Sequence, residues 1–121
     1  MSVPGTSADG LIVAVTGTAS GLGRTMALHL VDHATGLVLA DVDADGLAAI
    51  EVELSRRIPV VTLVSDVRDE SFPKSFLDLA RQGIGTPHVL VNNAGIVPYA
   101  PFLTQDRAVF RELFAVDVES V

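Results

Sequence analysis

Apolar residues in this chain fall into short blocks separated by longer stretches of mixed character. Four blocks are nearly unbroken: Leu11–Val15 (LIVAV), Leu37–Ala40 (LVLA), Val60–Val64 (VVTLV) and His88–Val91 (HVLV). Runs of this length, bounded by glycine or proline, read as strands buried on both faces. Between them the apolar positions recur at helical spacing. Leu22, Met26, Ala27, Leu30, Val31 and Ala34 define a first helix from Leu22 to about His33, which Gly36 ends. Ala44 to about Arg57 forms a second, with Leu47, Ile50 and Leu54 on one face and Asp43 as N-cap. A third covers about Glu70–Gln82 and is closed by Gly83 and Gly85. Its Pro73 is tolerable because the first helical turn has no intrahelical N–H bond to lose. A last helix runs from about Gln105, capped by Thr104. The order β-α-β-α-β-α-β-α predicts an α/β domain over residues 11–121, with a parallel sheet and helices on both faces. Residues 1–10 read as a flexible leader.

Composition narrows the possibilities. At 121 residues with 49% hydrophobic content, the chain has material for one core. Eight basic and 15 acidic residues give a net charge of −7, which argues against nucleic acid as a partner. There is no cysteine, so disulfides, thiolate catalysis and cysteine-based zinc sites are excluded. The opening MSVPGTSADG lacks the apolar segment of a signal peptide, and no apolar run approaches the roughly 18 residues of a membrane span. A cytoplasmic protein without a membrane partner is the expectation.

The chemistry starts where the first strand meets the first helix. VTGTASGLGRT (residues 15–25) places Gly17, Gly21 and Gly23 in the pattern G-x-x-x-G-x-G. Glycine admits positive φ and lets a ligand approach the backbone. The helix N-terminus behind it offers free N–H groups and a positive dipole end, suited to a pyrophosphate. A phosphate-binding P-loop is not met, because Arg24 stands where its lysine belongs. The spacing also departs from the general dinucleotide fingerprint G-x-G-x-x-G.

The loop resembles instead the TGxxxGxG of the short-chain dehydrogenase/reductase family, matched at Thr16, Gly17, Gly21 and Gly23 with Ser20 and Leu22 between them. NNAG (Asn92, Asn93, Ala94, Gly95) follows the fourth strand, where that family carries its NNAG motif, and SDV (residues 65–67) follows the third. Asp41 ends the second strand 18 residues beyond Gly23, close to the roughly 20-residue spacing of a ribose-binding acid. The resemblance implies a Rossmann-like, doubly wound sheet of strand order 3-2-1-4 and a nicotinamide dinucleotide as cofactor. It places the pyrophosphate on the glycine loop, the ribose on Asp41, adenine on Asp66 and Val67, and the nucleotide cleft along Asn93, Ala94 and Gly95, with Asn92 supporting the strands. NADP-binding relatives carry a basic residue just before the second glycine or just after the second strand. Here those positions are Ser20 and Val42, so NAD is expected over NADP.

Other readings of the same residues are weaker. Asp41, Asp43, Asp45 and Gly46 open like a calcium-binding EF-hand loop, but that loop needs a glutamate where Val52 stands and must follow a helix. His29 and His33 have the i, i+4 spacing of metal ligands. They share a face with Arg24 and Asp32, opposite the apolar stripe, and read as a solvated helix face. No metal site is expected.

One part of the family pattern is missing. Its members use a tyrosine as acid/base, a lysine four residues later and a serine. The only tyrosine here, Tyr99, has Leu103 in the fourth position after it, and the only lysine is Lys74. The resemblance therefore implies a chain cut short of its catalytic residues, inactive alone, whose parent exchanges a hydride with a small alcohol or carbonyl substrate. Ungapped counting from Asn92 puts Asp117 at the family's active-site asparagine, exchanging two amide donors for a charge. The fourth strand becomes an apolar sheet edge through which the chain is expected to self-associate.

Overall fold

The computed structural model describes residues 10–95 and 107–119. The expected leader, Gly10 apart, and the Thr104 cap lie outside them. The elements are β1 (Ile12–Thr16), α1 (Gly21–Leu30), β2 (Gly36–Asp41), α2 (Ala44–Leu54), β3 (Val60–Val64), α3 (Phe72–Gly83), β4 (Val89–Val91) and α4 (Arg107–Phe114). The last helix widens into a π-helical segment, Ala115–Glu119.

The four strands pair in parallel in the order β3-β2-β1-β4. This is the expected Rossmann-like arrangement. Alternation within each strand then sends side chains to opposite faces. Val13, Val15, Leu37 and Leu39 point to one side, where they pack with Ala27 and Val31 and with Leu47, Ile50 and Leu54 of α2. Ala14, Val38 and Ala40 point to the other, against Phe72, Phe76 and Ala80 of α3. The phenylalanine rings stack with centroids 5.0 Å apart. Leu37, Val38 and Leu39 of the central strand are wholly buried. Each such side chain contributes about 1.5–3 kcal/mol by leaving water.

Several element ends differ from the sequence reading. β1 runs one residue later than LIVAV. α1 stops at Leu30, and a turn through Val31–His33 brings the Ala34 N–H back to the Leu30 carbonyl. Gly36 therefore caps no helix but opens β2, where an added Cβ would lie 3.0 Å from Ile84 Cδ1. Leu22 leaves the predicted apolar stripe and is 68% exposed at the mouth of α1. α2 ends at Leu54, three residues short of Arg57. Asp43 does cap it, accepting from the Gly46 N–H at 3.1 Å. β4 is the outer strand on its side, with Val89 39% and Leu90 56% exposed. His88 extends its pairing by one residue: its backbone N–H donates to the Ile12 carbonyl, and its Nδ1 accepts from the Ile12 N–H, both at 2.9 Å.

The register brings Thr16, Asp41, Val64 and Val91 to one end of the sheet. β1 and β4 are neighbours there, with α1, which follows β1, on one face and α3, which precedes β4, on the other. In open α/β sheets such a crevice, at the carboxyl ends of the strands, is where ligands bind.

Candidate dinucleotide site

The glycine loop is fixed by close contacts. Its Gly17 N–H donates to the Ala40 carbonyl at 2.8 Å, holding the loop against the end of β2. Gly17 has φ +73°, and an added Cβ would lie 2.9 Å from Ala94 Cα. At Gly23 the restriction is harsher, since a Cβ would meet the Gly17 carbonyl oxygen at 2.0 Å. Gly21, at φ +58°, is different: a Cβ there would have nothing within 4 Å among the described residues. Two glycines admit other parts of the protein, and the third faces open space. Ser20 stands at the N-cap of α1 but its side chain makes no cap hydrogen bond. The first-turn N–H groups thus have neither an intrahelical acceptor nor a Ser20 side-chain cap.

Two short polar links join this loop to its neighbours. Thr16 is 3% exposed, and its hydroxyl accepts the N–H groups of Asn93 and Ala94, both at 3.0 Å. Asn93 Nδ2 donates to the Gly17 carbonyl at 3.2 Å. The NNAG segment is thus latched to the glycine loop from both sides. Asp41 makes the second link: Oδ2 accepts from the Ala19 N–H and Oδ1 from the Asp43 N–H, each at 2.9 Å. A carboxylate has about four acceptor positions, so each oxygen keeps one more.

Beyond the loop lies a cavity of about 160 Å³. It is lined by Gly17, Asp41, Val42, Ser65, Asp66, Val67, Arg68, Ala94, Gly95, Glu112 and Val116. Whole small-molecule pockets occupy roughly 300–1,000 Å³, so this one has room for one end of a ligand at most. Seven residues singled out from the sequence meet there. Thr16, Ser20, Gly21, Leu22, Gly23 and Asn93 do not line it: Thr16 and Asn93 hold the loops together, Gly23 is buried against Gly17, and Ser20, Gly21 and Leu22 sit at the exposed start of α1. Asp117, half-buried in the π-helical segment, places Oδ1 3.1 Å from where a Cβ on Gly95 would be.

Charge is concentrated at the far end of this cavity. Arg68 donates its Nε to both oxygens of Asp66 at 3.0 Å, its Nη2 to Oδ2 at 2.5 Å and its backbone N–H to Oδ1 at 2.9 Å. Those side-chain and backbone bonds hold the Asp66 carboxyl below its ordinary pKa. Arg68 Nη1 also lies 3.6 Å from Glu112 of α4. Sequence reasoning missed this cluster, and it had no signal to find it, since charges in a loop follow no period.

A larger cavity of about 580 Å³ lies between α3 and β4, lined among others by Phe72, Phe76, Leu90 and Asn92. It is mostly apolar and touches none of the glycine loop. His88 lines it too, but its Nδ1 is engaged by Ile12. Among the described residues no group of three or more histidine or acidic side chains converges, and Asp41 ends a strand rather than following a helix. No described helix is long and apolar enough to cross a membrane.

Comparison with known proteins agrees with this geometry. The chain is 39% identical over 95 residues to sulfoacetaldehyde reductase 2 of Chromohalobacter salexigens, covering 78% of this chain and 37% of that protein. To levodione reductase of Leifsonia aquatica it is 35% identical over 98 residues, covering 78% and 37%. A short-chain dehydrogenase/reductase from Burkholderia phymatum, solved in complex with NAD, superposes with a TM-score of 0.87 at 30% identity, covering 94% of this chain and 41% of that one. The chain thus spans less than half the length of these relatives. The family model for short chain dehydrogenase matches residues 11–121, and the chain belongs to that family of oxidoreductases.

Proposed function

We propose that these 121 residues are the cofactor-holding part of an NAD-dependent oxidoreductase acting on a small alcohol or carbonyl compound. The observation that carries this reading is the single cavity uniting Gly17, Asp41, Asp66, Val67, Ala94 and Gly95 beside the uncapped start of α1. The pyrophosphate lies against the first turn of α1, in the space Gly21 leaves. The ribose hydroxyls donate to the remaining acceptor positions of Asp41. Adenine sits between Val42 and Val67, with its amine towards Asp66. The cofactor supplies the hydride acceptor or donor; the chain's own residues bind and orient it. Preference for NAD follows from charge, because a 2′-phosphate beside the Asp41 carboxylate is repelled and neither Ser20 nor Val42 offsets it. Calorimetric titration with NAD and NADP tests this, with NAD the tighter ligand; equal affinities would overturn the preference.

The 121 residues have no Tyr-x-x-x-Lys, and Asp117 offers no amide donors. They therefore bind the dinucleotide without turning over an alcohol. Measurable NAD-dependent alcohol oxidation by this chain would contradict that statement. The exposed Val89 and Leu90 edge favours self-association, and a monodisperse monomer in sedimentation, with cooperative melting, would contradict that.

A further inference from the structure

The contacts around Asp66 carry a consequence for base recognition. Its two oxygens offer about four acceptor positions in all. Arg68 directs three N–H groups at them: Nε–H, shared between both oxygens, Nη2–H on Oδ2, and the backbone N–H on Oδ1. An adenine amine reaching Asp66 competes with the guanidinium, which already contacts both oxygens. The backbone N–H of Arg68 keeps Oδ1 in place whether or not the side chain is there, so orientation of the carboxylate does not depend on the guanidinium. Glu112, 3.6 Å from Nη1, gives the displaced group a second anionic partner. All three side chains are substantially exposed, so the exchange costs little desolvation.

We propose that the Arg68 side chain is a displaceable cover on Asp66, a specificity-determining residue that competes with the purine amine for the carboxylate. This rests on the placement of adenine at Asp66 given above. The prediction has a definite sign. Removing the guanidinium strengthens binding of a base that carries the amine relative to one that carries an oxo group.

The test compares NAD with nicotinamide hypoxanthine dinucleotide, which has the same phosphates and sugars but an oxo group for the amine. The affinity ratio of the two, measured by titration on the full chain, rises roughly threefold in Arg68→Met, the scale of an exposed ion pair. In an Asp66→Asn background the same Arg68→Met change leaves the ratio unmoved. Added salt raises the ratio in the unsubstituted chain, because it screens the pair, and does not in Arg68→Met. Thermal melting of each variant checks that the fold is intact; all sites of change are on the surface. NAD binding with a ratio unchanged or lowered by Arg68→Met would overturn the inference alone. Failure of the unsubstituted chain to bind NAD at all would remove the placement of adenine, and the inference with it.

Discussion

The two ends of the cleft are built by different physics. At the glycine end, positions are fixed by sterics and by half-buried hydrogen bonds to backbone: Thr16 on Asn93 and Ala94, Asn93 on Gly17, Asp41 on Ala19. At the base end, an exposed guanidinium pairs with a half-buried carboxylate. The first arrangement has one geometry and breaks if a single atom is added. The second can exchange partners at small cost. On the cofactor placement proposed above, that difference gives a rigid seat for the phosphates and an adjustable seat for the base.

The contrast is broken most severely at Gly23. A Gly23→Ala change puts a Cβ 2.0 Å from the Gly17 carbonyl oxygen, so the loop must shift. Overpacking of this kind costs about 1–3 kcal/mol or more. Chemical denaturation should show that loss, and calorimetry should show at least a tenfold drop in NAD affinity. Next comes Thr16→Val, which keeps the shape but strands two N–H groups. At about 1–3 kcal/mol for each buried unsatisfied group, destabilisation of about 2–4 kcal/mol is expected in urea. Asp41→Ala releases the Ala19 and Asp43 N–H groups where water can reach them, so its cost is smaller, about 1–2 kcal/mol. Its mark is on binding, with NAD weakened more than NADP.

The smallest effect belongs to the base end and appears in acid. Asp66 and Asp69 both titrate below the ordinary value of 3.8 in the folded chain, Asp66 through Arg68 and Asp69 through bonds from the Ser71 N–H and hydroxyl. Their folded values are depressed, so the stability they contribute is present above the unfolded value. It is lost as pH falls through the folded values. Denaturation midpoints should therefore decline below about pH 4, near the unfolded carboxylate value, and Arg68→Met should flatten part of that decline. An identical acid profile in the variant would mean that the guanidinium does not hold Asp66.

The same division explains what could be read from the chain. LIVAV and LVLA announced a parallel sheet because strands covered on both faces must be apolar throughout; VVTLV reads the same way but lies at the sheet edge, half-buried, with Val64 exposed. Gly17 and Gly23 were legible because only glycine meets a steric demand of this kind. Asp43 was legible as a cap because the bond it makes is local. The hydroxyl of Thr16 was not, since its partners lie 77 and 78 residues away. Nor was the full work of Asp41, whose carboxylate braces two loops as well as facing the cavity. Leu22 misled because helical spacing alone does not reveal that the first turn projects beyond the sheet. Gly36 misled because a glycine after a helix and a glycine opening a strand look alike until the turn between them is known. The Arg68 cluster left no periodic trace.

The most direct test of the two-ended cleft is a titration of the isotopically labelled chain with NAD, followed through its backbone amide resonances. Shifts should appear together at Gly17, Ser20–Gly23, Asp41, Asp66–Arg68 and Asn93–Gly95, while Phe76, Leu77 and His88 around the larger cavity stay in place. Shifts confined to the α3–β4 cavity, with the glycine loop unmoved at saturation, would contradict the account.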